Sequence, residues 1–146
     1  MAEALRQPRR FEPAVPVPGE VGGPRARGAY RILYLLFIIA PIAVGLDKFA
    51  HVLVNWDQYL APVVDQMLPI HVSPHVFMLA VGVVEIVAGL LVAAKPSVGG
   101  WIVAVWLWGI IVNLLLIPGY YDIAVRDFGL SVGAVALARL ARDFAR

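Results

Sequence analysis

Apolar residues gather into four stretches along this chain, separated by short polar joints. Leu33–Val54, Val76–Ala94 and Trp101–Ile117 each approach the roughly 20 residues that a helix needs to cross a 30 Å hydrocarbon core. A fourth stretch, about Ile123–Leu140, is unbroken only over Phe128–Ala138, so Arg126 and Asp127 must lie near an interface or be paired inside a bundle. The pattern predicts an all-α integral membrane four-helix bundle, with Pro41 kinking the first span and Pro118–Gly119 ending the third.

The joint between the first two spans carries a pattern of its own. Trp56, Tyr59, Leu60, Val63, Val64 and Met67 fall at i, i+3, i+4, i+7, i+8 and i+11, with Asp57, Gln58, Asp65 and Gln66 elsewhere around the turn. This spacing predicts an amphipathic helix with Asn55 as N-cap and Pro69 as stop. Such a helix lies in the membrane interface, as a passive anchor or as a lid over a cavity.

Basic residues set the orientation. Arg6, Arg9, Arg10, Arg25, Arg27 and Arg31 precede the first span, Lys95 occupies the second joint, and Arg139, Arg142 and Arg146 close the chain, whereas Asn55–Pro74 holds Asp57 and Asp65 but no Lys or Arg. Both termini of this multi-pass chain are expected in the cytoplasm. Residues 1–28, rich in Pro and Arg, read as an extended cytoplasmic arm that meets anionic lipid or a partner subunit, and residues 29–146 as the transmembrane bundle. Arg9–Arg10–Phe11 stands too far from the first apolar stretch for a twin-arginine export signal.

Against this background the charges within the spans are the feature to explain. Asp47, Lys48, Glu85, Arg126 and Asp127 each cost about 2.5–3.5 kcal/mol at a helix centre unless they face one another or a wet cavity. Helical rise places Asp47, Lys48 and His51 in the outer half of the first span, Asn113 near the outer end of the third, and Asp122, Arg126 and Asp127 near the outer mouth of the fourth. Glu85 falls near the midplane, roughly 15 Å below Val76. Adjacent Asp47 and Lys48 diverge by about 100° and neutralise each other poorly, so partners are expected across the bundle: Arg126 for Asp47, and Glu85 or Asp127 for Lys48. Gly82, Ala88 and Gly89 around Glu85, and Gly109 in the third span, permit close helix approach. The cluster reads either as a structural ion-pair network or as a site for a quinone headgroup, a small anion or protons.

Composition narrows the chemistry further. Hydrophobic residues make up 61% of the 146 and charged ones 15%, which excludes an ordinary soluble domain, and the net charge of +2 follows from topology and not from nucleic-acid binding. The absence of cysteine removes disulfides, thiolate metal sites and any Cys-x-x-Cys relay. His51, His71 and His75 lie near the outer interface, but only His51 is inside a span, which argues against a bis-histidine haem b; nothing in their spacing enforces a tetrahedral metal site. Trp101, Trp106, Trp108, Tyr120 and Tyr121 fit interface belts and lipid contact.

Four runs carry a resemblance to a known family: Gly45–Leu46–Asp47–Lys48–Phe49; Asn55–Trp56 with Tyr59–Leu60–Ala61–Pro62; Gly82–Val83–Val84–Glu85–Ile86–Val87–Ala88–Gly89; and Tyr121–Asp122–Ile123–Ala124–Val125–Arg126–Asp127–Phe128. Over about Tyr30–Ala141 the chain resembles the DoxX and DoxX-like small bacterial membrane proteins. The resemblance implies a four-helix bundle and, for some members, a role as membrane subunit of a thiosulfate:quinone oxidoreductase or of an oxidative-stress complex; it transfers no catalytic residue. The chain therefore reads as a non-catalytic, accessory membrane subunit of a quinone-linked redox complex. Asp47, Lys48, His51, Glu85, Asn113, Asp122, Arg126 and Asp127 are its candidate ligand-binding residues, and lipids and other protein subunits its partners. The alternative is a scaffold subunit of a respiratory or photosynthetic complex.

Overall fold

The computed structural model describes residues 23–67 and 72–144. Most of the Pro/Arg arm, the helix stop at Pro69, His71 and Arg146 lie outside the described residues. Helix α1 spans Pro24–Ala50 and opens with proline in its first turn, where a missing N–H costs nothing. It begins well before the apolar stretch because Arg25, Ala26 and Arg27 are good helix formers, so the last residues read as arm are helical. It runs through Pro41 and ends at His51, which adopts the left-handed conformation (φ 52°) and donates its N–H to the Asp47 carbonyl at 2.7 Å.

A 3₁₀ helix (Trp56–Tyr59) and a short helix α2 (Pro62–Met67) follow. The single amphipathic helix expected over Trp56–Met67 is thus divided. Proline at 62 has no N–H for a continuing helix and its ring disfavours a helical residue before it, so the chain turns extended at Leu60 and restarts with Pro62 as first residue. Asn55 caps the first piece as expected, its Oδ1 accepting from Asp57 N at 3.1 Å.

Three long helices complete the chain: α3 (Pro74–Ala94), capped by Ser73, α4 (Pro96–Leu115) and α5 (Tyr121–Phe144). No strand occurs among the described residues. Helices α1, α3 and α4 are long and apolar enough to cross a membrane. Helix α5 matches them in length but carries six charged residues, from Asp122 to Asp143.

Packing pairs α1 with α3 and α4 with α5, and joins the two pairs through α3 with α4 and α1 with α5. Phe37, Ala88, Val92, Val103, Ala104, Ala134 and Leu137 meet in the middle. The distribution of side-chain size is that of a protein in lipid: small residues lie inside, and Ile32, Leu35, Val87, Val105 and Val125 face outward. Backbones touch where glycines allow it. A Cβ on Gly45 would fall 2.6 Å from the Gly82 carbonyl oxygen, and one on Gly82 2.7 Å from that of Gly45. This contact brings the end of α1 against the middle of α3. Gly109, read from sequence as another close-approach residue, has open space beside it and belongs to a cavity wall.

Candidate ligand-binding site

Helix α1 stops about a turn after Asp47 and Lys48, while α3 continues for several turns beyond their level. Glu85 is the twelfth of the 21 residues of α3, about 16 Å from its start at 1.5 Å per residue. The Gly45–Gly82 contact aligns the two levels, and Lys48 Nζ donates to Glu85 Oε2 at 2.6 Å. Both residues are buried. Over the ammonium lies the Trp56 ring, its centroid 3.9 Å from Nζ, so the cation is enclosed by a carboxylate and an aromatic face.

Asp47 points the other way and organises the loop that carries Trp56. Its carboxylate accepts from Val52 N at 3.0 Å, from Leu53 N at 3.1 Å and from Trp56 Nε1 at 2.7 Å. The pairing of Asp47 with Arg126 that depth alone suggested is not formed: three donors supplied by the chain just after Asp47 satisfy it locally. Arg126 instead folds back on its neighbour, Nε to Asp127 Oδ1 at 3.5 Å, with the arginine exposed and the aspartate buried. Of the two partners weighed for Lys48, the structure selects Glu85.

A cavity of about 680 Å³ opens among these elements. Its walls are apolar, with Phe37, Pro41, Val44, Met78, Val81 and Leu107 prominent, and its polar lining is sparse: Glu85, Asp127, Arg126 and Asn113. Trp56, Tyr59, Leu60 and Val64 line it as well, so the segment after α1 roofs the space. Asn113 fastens this roof to α4: its Oδ1 accepts from Ala61 N at 2.9 Å and its Nδ2 donates to the Tyr59 carbonyl. Tyr120 packs edge-on against Tyr59 and donates to Gln58 Oε1 at 3.3 Å.

The sequence-predicted residues therefore divide. Glu85, Asn113, Arg126 and Asp127 line the cavity, Lys48 meets it through Glu85, and Asp47 supports the roof. His51 stacks on His75 at 5.1 Å, away from the cavity lining, and Asp122 is exposed at the start of α5. Trp106 was missed as a cavity residue because the aromatic residues of the third span read as interface belts and lipid contacts, whereas Trp56 belongs to the segment read as anchor or lid. Trp106 Nε1 is buried without a hydrogen-bond partner among the described residues. No family model, no curated protein and no solved structure matches this chain, so what the site does is read from its own geometry.

Proposed function

We propose that this chain is a non-catalytic membrane subunit of a quinone-linked redox complex and that its cavity receives a quinone. The observation that carries the reading is the combination of a mostly apolar space of about 680 Å³ with a few ionisable groups at one level. That volume suits an aromatic headgroup with the beginning of an apolar tail. A small anion would exchange its hydration for these apolar walls at high cost, which favours the quinone of the two ligand classes that the charges suggest. A sealed bundle would have suited a scaffold; an open cavity suits a ligand.

A bound quinone would supply two-electron, two-proton redox capacity, and the electron donor belongs to a partner subunit. The chain's own residues bind and orient. Phe37, Pro41, Val81 and Leu107 offer an apolar slot, Arg126 an exposed positive charge, and Glu85 and Asp127 carboxylates that can hold a proton at the cavity edge. Lys48 acts through Glu85, fixing its rotamer and balancing its charge. Trp106 adds an unused donor within the wall.

The same reading takes α5 as a fourth span, its charges at the cavity and at the ends, and the 3₁₀ helix with α2 as an interfacial roof. It places the protein in a bacterial inner membrane with both termini cytoplasmic, in keeping with the DoxX-like resemblance and the distribution of basic residues. Titration of the protein in nanodiscs with decylubiquinone, followed by tryptophan fluorescence, tests it, since Trp56 and Trp106 border the cavity. Saturable quenching that is weakened in Gly109→Leu, which adds a bulky side chain to the cavity wall, is the expected result. Quenching that rises linearly with quinone, equal in both proteins, would refute it.

A further inference from the structure

Above the cavity, three potential metal ligands converge from three separate elements. His51 is the C-cap of α1, Asp57 belongs to the 3₁₀ helix, and His75 is the second residue of α3. Their ligand atoms all lie within 4.8 Å of one another. We propose that His51, Asp57 and His75 form a binding site for a late first-row divalent metal ion, with zinc the best match to two imidazoles and one carboxylate.

Geometry supports this beyond proximity. His75 Nδ1 and Asp57 Oδ2 are 3.4 Å apart. Two ligands at zinc bond lengths of about 2.0–2.1 Å, set at tetrahedral angles, are separated by about 3.3–3.4 Å, so this edge already has the spacing of a coordinated pair. The other Asp57 oxygen, Oδ1, is buried with no hydrogen-bond partner among the described residues. A buried carboxylate oxygen without a donor is costly, and a shared cation removes that cost.

The backbone that presents these groups is fixed independently of any ion. Asp47 holds residues 52, 53 and 56 by hydrogen bonds, Asn55 caps the turn containing Asp57, and Ser73 caps the turn containing His75. Ligand positions set in advance reduce the ordering cost of binding. The His75 side chain is half exposed, so an ion reaches the group from solvent, and three protein ligands leave a fourth position for water. Occupancy would tie the end of α1, the roof segment and the start of α3 together at one point. This assignment does not depend on the quinone reading.

Cobalt(II) reports on it directly because four-coordinate cobalt absorbs visible light. The full chain, purified through a tag without histidine, would be titrated with Co²⁺ alone and then with Zn²⁺ as competitor, alongside His75→Ala, Asp57→Asn and the control Asp65→Asn. The wild type and Asp65→Asn are expected to bind one Co²⁺ per chain in the micromolar range, displaced by Zn²⁺, with affinity lowered about tenfold or more in the other two. His75 is exposed in a first helical turn, so His75→Ala leaves folding intact; a Zn²⁺-induced rise in melting temperature seen in wild type and absent in this variant is a second expected readout. No saturable cobalt signal, or binding by either ligand variant within about threefold of wild type, overturns the site.

Discussion

Removing one partner of the Lys48–Glu85 pair should cost far more than removing both. The pair lies at mid-depth of α3 with side-chain exposures of 3% for Lys48 and 10% for Glu85, and their contact is 2.6 Å. Glu85→Gln leaves an ammonium enclosed by the Trp56 ring and apolar helix faces. Breaking a buried pair on one side costs about 3–5 kcal/mol, and the cation–π contact with Trp56, made with or without Glu85, does not reduce that loss. Lys48→Met leaves Glu85, which borders the cavity and can take up water or a proton there, so its loss should be smaller, about 1–3 kcal/mol. In the double variant neither charge of the pair remains, and most of the larger single loss should return, since Met and a neutral Gln at the cavity edge leave no uncompensated charge behind. Reversible unfolding in mixed micelles, with helicity and tryptophan fluorescence as probes, measures the four species. The cycle is expected to show a coupling of about 3–6 kcal/mol with Glu85→Gln the worst variant. Additive losses would refute the pairing, and a Lys48→Met variant less stable than Glu85→Gln would refute the placement of Glu85 against the cavity.

Three further outcomes follow from the packing. Gly82→Ala drives a methyl group to 2.7 Å from the Gly45 carbonyl oxygen and should destabilise by about 1–3 kcal/mol in the same unfolding assay, whereas Gly109→Ala, with nothing nearby, should stabilise by up to about 1 kcal/mol. Asn113→Ala releases Tyr59 and Ala61 from α4; a loss of about 1–3 kcal/mol and faster proteolysis within residues 51–61 are expected by thermal melting and limited digestion. Asp47→Ala removes the acceptor for three donors, and a red-shifted tryptophan emission, reporting Trp56 freed into solvent, should accompany its lower stability.

The long helices were legible because apolar length is a strong signal: Leu33–Val54, Val76–Ala94 and Trp101–Ile117 lie mostly within or close to α1, α3 and α4. Helical rise put Lys48 in the outer half of its span and Glu85 near the midplane, near enough for Glu85 to be one of two partners weighed, and the small residues about Glu85 marked a close helix approach that α1 turns out to make. Local competition was harder to read. Asp47 forgoes a partner across the bundle because the chain reverses just beyond it and supplies backbone N–H groups and Trp56 at once, an arrangement with no periodic signature. Arg126 and Asp127 are neighbours in sequence, and the i,i+1 spacing argues against contact until a long side chain bends back. The apolar periodicity of Trp56–Met67 persists across a backbone break, so periodicity alone predicted one helix where Pro62 makes two. The His51–Asp57–His75 group lies beyond single-helix reasoning, since its members are brought together by the roof fold.

The central claim, a quinone held in the cavity of a membrane subunit, is tested most directly by extracting the protein from its own membrane into native-lipid nanodiscs and analysing the intact particle by mass spectrometry and quinone extraction. About one quinone per chain, enriched over the bulk membrane and accompanied by a redox subunit, is the predicted result. A particle without partner subunits, carrying quinone only at the bulk lipid ratio, would contradict it.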